Sequence, residues 1–143
     1  RRIESLLMPL LHNKVRLITN MGAANPLAAA EKVIAIARRQ KVKVKVAAVT
    51  GDDVLDKIDP QDKAMETNRP LVDSGPLLSA NAYLGAPGII EALQQEADII
   101  ITGRVADPSL FIAPIRWGTD GLAVFFRRIW PMDTSAAFCA MPT

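Results

Sequence analysis

The feature that most constrains the fold is an alternation of short β-branched runs with apolar stretches of helical spacing. Strand-like runs span Val15 to Thr19, Val42 to Thr50 and Ile99 to Thr102. A helical pattern over residues 26–40 separates the first two runs, and another over residues 87–97 precedes the third. Such alternation is typical of βαβ units. We therefore predict an α/β fold with an open, mostly parallel sheet.

Prolines mark the expected helix starts. The pairs Asn25-Pro26, Ala86-Pro87 and Asp107-Pro108 each place proline where a first helical residue belongs. Asn25 and Asp107 are also favourable N-cap residues. The stretch 57–78 is irregular and contains at most a short helix in our interpretation, and long loops of this kind are often functional. The first fourteen residues predict an amphipathic helix rather than a signal peptide.

Composition excludes several classes of protein. A chain of 143 residues suits one domain, and a net charge of +2 with 5% aromatic residues argues against nucleic-acid binding. The single cysteine, Cys139, rules out an internal disulfide and a cysteine-based zinc site, and it fits a reducing compartment. No apolar run is long enough to span a membrane. We therefore expect a cytoplasmic protein.

Polar residues and glycines cluster in the loops that follow the predicted strands. Ligands of open parallel sheets bind outside the carboxyl ends of the strands. The loops 20–26, 51–54 and 103–108 occupy that position, and the polar segment 79–87 precedes a helix. The candidate site residues in these four segments are Asn20, Gly22, Asn25, Gly51, Asp52, Asp53, Asn81, Tyr83, Gly103, Arg104 and Asp107.

The sequence leaves the roles of these residues open. Asp52 and Asp53 can act as acid and base or bind a hard cation, or one can cap a short helix while the other is solvated. Asn25 and Asp107 are explained first as helix caps. Tyr83 can offer its hydroxyl to a ligand or simply pack. Arg104 follows a buried strand, so its guanidinium needs a carboxylate, either on the protein or on a ligand.

Familiar cofactor motifs are missing from the sequence. The segment NMGAANP lacks the glycines of GxGxxG after Gly22, and no GK[ST] is present. His12 is the only histidine, and its spacing supports no Ser-His-Asp triad. No cofactor is therefore assigned, and no metal site is expected beyond the cation alternative for Asp52 and Asp53.

Four segments together resemble the acyclic terpene utilisation family AtuA. They are TNMGAANP, AAVTGDDV, SANAYLGAPGIIEAL and ADIIITGRVADPSL, in this order, and the similarity covers roughly residues 6–115. The resemblance implies an α/β domain associated with catabolism of acyclic terpenes such as citronellol and geraniol. The resemblance favours a ligand-binding role for the candidate residues over a purely structural role as helix caps. Asp52 and Asp53 then become catalytic candidates, and the other nine residues become substrate-binding candidates.

The sequence also departs from the family pattern. The family's opening strand would lie before Arg1, and the residues after Trp117 do not resemble its continuation. We therefore expect residues 1–117 to form a partial domain, an incomplete three-layer sandwich, followed by a divergent tail over residues 118–143.

The expected function is an enzyme-type domain that binds a small anionic substrate, such as an acyl or acyl-CoA compound of terpene or branched-chain catabolism. A non-catalytic binding or assembly subunit and an inactive fragment remain as alternatives. In each case the protein can form a homo-oligomer or associate with a partner subunit, and the sequence leaves this choice open.

Overall fold

The computed structural model describes residues 2–23, 25–118 and 138–141. Helices and strands alternate through these residues. The helices are α1 (Arg2–His12), α2 (Pro26–Gln40), α3 (Pro87–Gln94) and α4 (Asp107–Gly118). The strands are β1 (Leu17–Thr19), β2 (Val46–Val49), β3 (Ile99–Thr102) and β4 (Phe138–Met141).

The strands form one sheet in the order β1-β3-β2-β4. β3 pairs in parallel with both β1 and β2, while β4 lies antiparallel on the outer side of β2. The prediction of an α/β fold with an open, mostly parallel sheet is confirmed. Residues 138–141, which belong to the predicted tail, thus join this sheet. α4 ends at Gly118, one residue beyond the predicted boundary at 117. Residues 119–137 of the tail lie outside the described part of the chain.

Alternating residues of the strands face two separate layers of helices. Val46 and Ala48 of β2 belong to a core cluster with α1 and α2. Their neighbours Ala47 and Val49 belong to a second cluster with α3 and α4. β3 divides in the same way, with Ile100 alone in the second cluster. All three isoleucines of β3 are buried, and each contributes roughly 1.5–3 kcal/mol by leaving water. The result is a three-layer sandwich in which the sheet lies between two layers of helices.

β1 and β2 begin later than predicted, because Val15 and Val42 take part in the C-terminal hydrogen bonds of α1 and α2 instead of starting the strands. The Val42 N–H donates to the Ala37 carbonyl at 3.1 Å, and the Lys41 N–H donates to the Arg38 carbonyl at 3.1 Å. Lys41 itself is left-handed, with φ 56°, so α2 ends in a Schellman motif. α1 ends in the same way, and there the Val15 N–H donates to the carbonyl of Leu10 at 2.9 Å.

The irregular stretch between β2 and α3 contains two short 3₁₀ helices, Leu55–Lys57 and Leu71–Ser74. Main-chain hydrogen bonds fold this segment back on itself. The Leu71 N–H donates to the Asp62 carbonyl at 2.9 Å, and the Val72 N–H donates to the Pro60 carbonyl at 3.0 Å. The expectation of a long excursion with little helix is confirmed, but the excursion has an ordered hydrogen-bonding pattern of its own.

Candidate functional site

The carboxyl ends of β1, β2 and β3 lie at one edge of the sheet, as three adjacent parallel strands require. The loop after β3 therefore lies between the other two, which are the loops after β1 and β2.

The loop after β1 packs directly on the end of β3. A Cβ atom placed on Gly22 would lie 2.5 Å from the Thr102 carbonyl oxygen and 2.8 Å from both the Ile101 Cγ2 and the Pro26 Cβ. Only glycine allows this approach of the two main chains. Gly22 is therefore first a packing residue, and it brings the start of α2 against the strand end.

Asn25 is the N-cap of α2. Its Oδ1 accepts the Ala28 N–H at 2.9 Å, and Pro26 is the first helical residue. The cap prediction is confirmed for Asn25. For Asp107 the result differs, because α4 begins at Asp107 itself. The Asp107 carboxylate lies in the first helical turn, where the helix dipole favours it, and its Oδ1 accepts the Asn20 Nδ2 amide at 3.2 Å. This bond joins the loops after β1 and β3.

Asp52 is the buried carboxylate of the site, with 5% of its surface exposed. Its Oδ2 accepts the main-chain N–H of Arg104 at 2.8 Å and the Asn81 Nδ2 amide at 3.4 Å. The carboxylate lies directly over Gly103, where an added Cβ would overlap both carboxylate oxygens. Asp52 thus ties the loop after β2 to the loop after β3.

The segment 79–87 completes the site by pairing with both of those loops. Asp53 and Asn81 form an antiparallel bridge, and the Ala82 N–H donates to the Asp52 carbonyl at 2.7 Å. Further along, the Leu84 N–H donates to the Arg104 carbonyl at 3.1 Å, and the Ala106 N–H donates to the Leu84 carbonyl at 2.9 Å. The four segments singled out in the sequence therefore converge.

Arg104 is held by its main chain while its side chain is exposed. Its N–H and carbonyl are both bonded, to Asp52 and Leu84 respectively. No carboxylate within residues 2–23, 25–118 or 138–141 forms an ion pair with its guanidinium. A pairing of the Arg104 guanidinium with a carboxylate of the protein, which the sequence left open, is therefore not found in this part of the chain, and this includes Asp52, Asp53 and Asp107. Asp52 instead binds the peptide group of Arg104.

The remaining candidates lie at the surface of the site. Asp53 is exposed, and its Oδ1 accepts the Leu55 N–H at 3.2 Å. Tyr83 is 70% exposed. Gly51 has φ 109°, a conformation that side chains rarely adopt, so the turn after β2 requires glycine there. Across the described residues, no group of three or more histidine, cysteine or acidic side chains is placed to hold a metal ion.

The sequence did not predict one feature next to the site, an apolar groove. The excursion after Asp53 forms an open apolar groove of about 480 Å³, lined by residues that include Leu55, Leu71 and Leu77. The leucines are visible in the sequence, but they follow no helical or strand period, so no pattern linked them.

Fold and site together define a three-layer α/β domain whose polar loops converge at the carboxyl edge of a parallel sheet, with an exposed arginine in the central loop. The chain belongs to the acyclic terpene utilisation family, because the family model described as "Acyclic terpene utilisation family protein AtuA" matches residues 1–120. This match confirms the resemblance seen in the four sequence segments. No curated protein and no solved structure matches the chain. None of the helices within the described ranges has both the length and the apolar character that a membrane crossing would require.

Proposed function

We propose that this domain binds a small anionic organic substrate of acyclic terpene or branched-chain acyl catabolism, and that Arg104 holds the carboxylate or phosphate of that substrate. The observation that carries the proposal is that the main chain of Arg104 is fixed while its side chain is exposed and unpaired with any described carboxylate. A role in acyclic terpene utilisation fits the family.

The position of Arg104 supports anion binding. Ligands of open α/β sheets bind at the carboxyl ends of the strands, and Arg104 follows the central strand there. A guanidinium presents a fork of donors that matches a carboxylate or phosphate in two parallel hydrogen bonds. Because the main chain is already fixed by Asp52 and Leu84, binding has to order only the side chain, which lowers the entropic cost.

The two carboxylates have different parts in this proposal. Asp52 is buried with its Oδ2 engaged, so it positions Arg104 and does not face the substrate. Asp53 is exposed on the same loop and is the carboxylate that can exchange a proton with a bound substrate. Asn20 and Asn81 lie in loops that converge with the loop of Arg104, where each already donates an amide N–H to a carboxylate, and Tyr83 offers a hydroxyl. The proposed substrates are acyl or acyl-CoA compounds in the cytoplasm, a location compatible with the single cysteine.

A non-catalytic binding or assembly subunit is the second candidate. One observation favours it: both aspartates already accept main-chain N–H groups, of Arg104 for Asp52 and of Leu55 for Asp53. Carboxylates used in this way stabilise loops without any chemical step. Such a subunit would bind the same anion, but Asp53→Asn would change neither binding nor any turnover.

The test is the affinity for citronellate, a branched acyclic carboxylate, measured by calorimetry on the wild type and on Arg104→Ala. We expect at least a tenfold loss of affinity, since a charge-assisted pair is removed. Arg38→Ala is the matched control, because it removes the same exposed charge from the last turn of α2. If Arg104→Ala unfolds the protein and a folded Arg104→Gln variant binds as well as the wild type, Arg104 is structural and the proposal is wrong.

A further inference from the structure

The excursion between β2 and α3 carries an open apolar groove whose lining contains no charged or polar side chain. Its volume is about 480 Å³. An apolar cavity of about 150 Å³ accommodates one benzene ring, so the groove has room for roughly three large apolar side chains. The main lining residues are Leu55, Ile58, Pro60, Leu71, Val72 and Leu77.

Main-chain hydrogen bonds form the frame of the groove. The Val72 N–H donates to the Pro60 carbonyl at 3.0 Å, and the Leu71 N–H donates to the Asp62 carbonyl at 2.9 Å. These two bonds join the two sides of the groove. The apolar side chains therefore stay on an ordered surface, and a partner does not have to order the backbone when it binds.

The lining is more exposed than the walls of an enclosed small-molecule site. Val72 is 52% exposed and Leu77 is 37% exposed. Sites for small molecules usually bury most of the surface of the ligand. Exposed apolar surface with a polar rim is instead typical of a contact with another protein or with a membrane. The groove therefore suits a large partner that covers its rim as well as its floor.

The rim of the groove is acidic. Asp56, Asp59 and Asp73 each follow or precede a lining residue in the chain, and Asp62 holds Leu71 through its carbonyl. All four aspartates are exposed. None of them forms an ion pair with a basic side chain among residues 2–23, 25–118 and 138–141. Their negative charges are therefore available to a partner.

The basic residues of the excursion do not balance this rim. Lys57 lies next to Asp56 in the chain, whereas Lys63 and Arg69 are at the two ends of the tight turn beyond Asp62. Residues 55–77 carry five acidic and three basic side chains, although the whole chain has a net charge of +2. The groove thus lies in a negative segment of a weakly positive protein.

We infer that the groove docks a basic amphipathic segment of a partner protein. The apolar side chains of that segment enter the groove, and its lysine or arginine side chains pair with the four aspartates of the rim. The negative rim disfavours an anionic membrane surface and a nucleic acid, both of which attract basic patches. The inference uses no contact of Arg104 and does not depend on the proposed function.

The test measures the binding of three synthetic helical peptides to the whole chain by calorimetry. The first peptide has leucines on one face and lysines on the other. The second has glutamates in place of the lysines, and the third has serines in place of the leucines. We expect the leucine–lysine peptide to bind at least tenfold more tightly than either control, because only this peptide complements both the groove and its rim. Its affinity is expected to fall at least fivefold at about 1 M salt, where exposed charges are screened. Equal affinity of the first two peptides would overturn the inference.

Two neighbouring leucines give a matched pair of variants for the groove. Leu77 lines it, whereas Leu78 does not line it and is 91% exposed. We expect Leu77→Ser to weaken binding of the leucine–lysine peptide at least fivefold and Leu78→Ser to leave it unchanged. A urea melt checks that both variants are folded, and an unfolded Leu77→Ser is replaced by Leu77→Ala. Equal binding by the two folded variants would mean that the peptide binds elsewhere, and the inference would fail.

A second matched pair tests the rim. The double variant Asp56→Asn with Asp73→Asn removes two charges beside the groove, and Glu31→Gln with Glu91→Gln removes two exposed charges from α2 and α3. We expect only the first double variant to weaken binding of the leucine–lysine peptide, at least fivefold. An equal loss in both would show that the peptide responds to the overall charge of the protein and not to the rim.

A second copy of the chain is the competing occupant, and sedimentation at increasing protein concentration tests it. We expect the Leu77→Ser and wild-type chains to have the same oligomeric state. If the wild type forms a dimer that Leu77→Ser abolishes, and the leucine–lysine peptide does not bind, the groove belongs to a contact between copies and the inference is wrong.

Discussion

The carboxylate of Asp52 lies directly over the α-carbon of Gly103, with no room between them for a methyl group. This contact places the Asp52 Oδ2 within 2.8 Å of the next peptide N–H, that of Arg104. The loops after two neighbouring strands are thereby locked together at the edge where ligands of such sheets bind. The relationship makes the main-chain position of Arg104 depend on the side chain of a residue in the loop after another strand.

Gly103→Ala tests this contact. The added methyl group would overlap the buried carboxylate, and we expect a loss of about 1–3 kcal/mol in the free energy of unfolding, as for an overpacked core. Urea denaturation measures the loss. Gly118→Ala is the control, since nothing lies within 4 Å of a Cβ there. Equal stability of the two variants would mean that Asp52 can leave Gly103 without cost.

Asp52→Asn tests whether the negative charge matters. The substitution keeps the shape of the side chain but weakens the hydrogen bond to the Arg104 N–H. Hydrogen bonds to charged groups contribute about 1.5–3 kcal/mol, so we expect a destabilisation of about 1–2 kcal/mol by urea denaturation.

The control for Asp52→Asn is Asp53→Asn. Asp53 is exposed, and its side-chain carboxylate accepts the Leu55 N–H two residues away. We expect its replacement to change stability by no more than about 0.5 kcal/mol. A larger loss for Asp53 than for Asp52 would contradict the structural role given to Asp52.

Asn25→Ala and Asn25→Asp together distinguish a helix cap from a ligand residue. The alanine variant loses the bond to the Ala28 N–H and is expected to cost about 1 kcal/mol in thermal or urea unfolding. The aspartate variant keeps the cap and is expected to be as stable as the wild type. If the folded Asn25→Ala variant loses citronellate binding, Asn25 also contacts the ligand, whereas a loss for Asn25→Asp alone reflects repulsion between the added negative charge and the anion.

Lys41→Gly is expected to stabilise the protein. Lys41 has φ 56°, and a residue with a side chain costs roughly 1–2 kcal/mol in this left-handed conformation. Glycine removes that cost, but its greater conformational freedom in the unfolded chain offsets part of the gain. A net gain of about 0.5–1 kcal/mol is expected in the urea unfolding free energy. Lys43→Gly is the matched control, because Lys43 is not among the residues with positive φ, and it is expected to show no gain.

Local patterns in the sequence predicted the elements whose residues carry their own signals. α2 begins at Pro26 behind its Asn25 cap and ends at Gln40, and β3 covers Ile99–Thr102, as the apolar spacing indicated. The convergence of the strand-end loops followed from the general geometry of parallel sheets. Those predictions needed no knowledge of long-range contacts.

The roles of individual residues could not be predicted in the same way. Asp52 and Arg104 are 52 positions apart, and no local pattern shows that a carboxylate will bind a peptide N–H there rather than a guanidinium. The strand starts at Leu17 and Val46 were misjudged because β-branched residues suit both strands and Schellman endings. The residues that line the apolar groove follow no regular spacing in the sequence, because turns bring them together.

The strand order also determines when this domain can begin to fold as the chain leaves the ribosome. β1 and β2 do not pair with each other, and both pair with β3, so that Leu17 finds its partner in Ile99. The chain must therefore be synthesised as far as β3 before the first pair of parallel strands can form. Until then two strands have unpaired main-chain groups, and the nascent chain has to be protected from association with its neighbours. Pairing over such sequence separations is also slow, so we expect refolding in the slow part of the range seen for domains of this size.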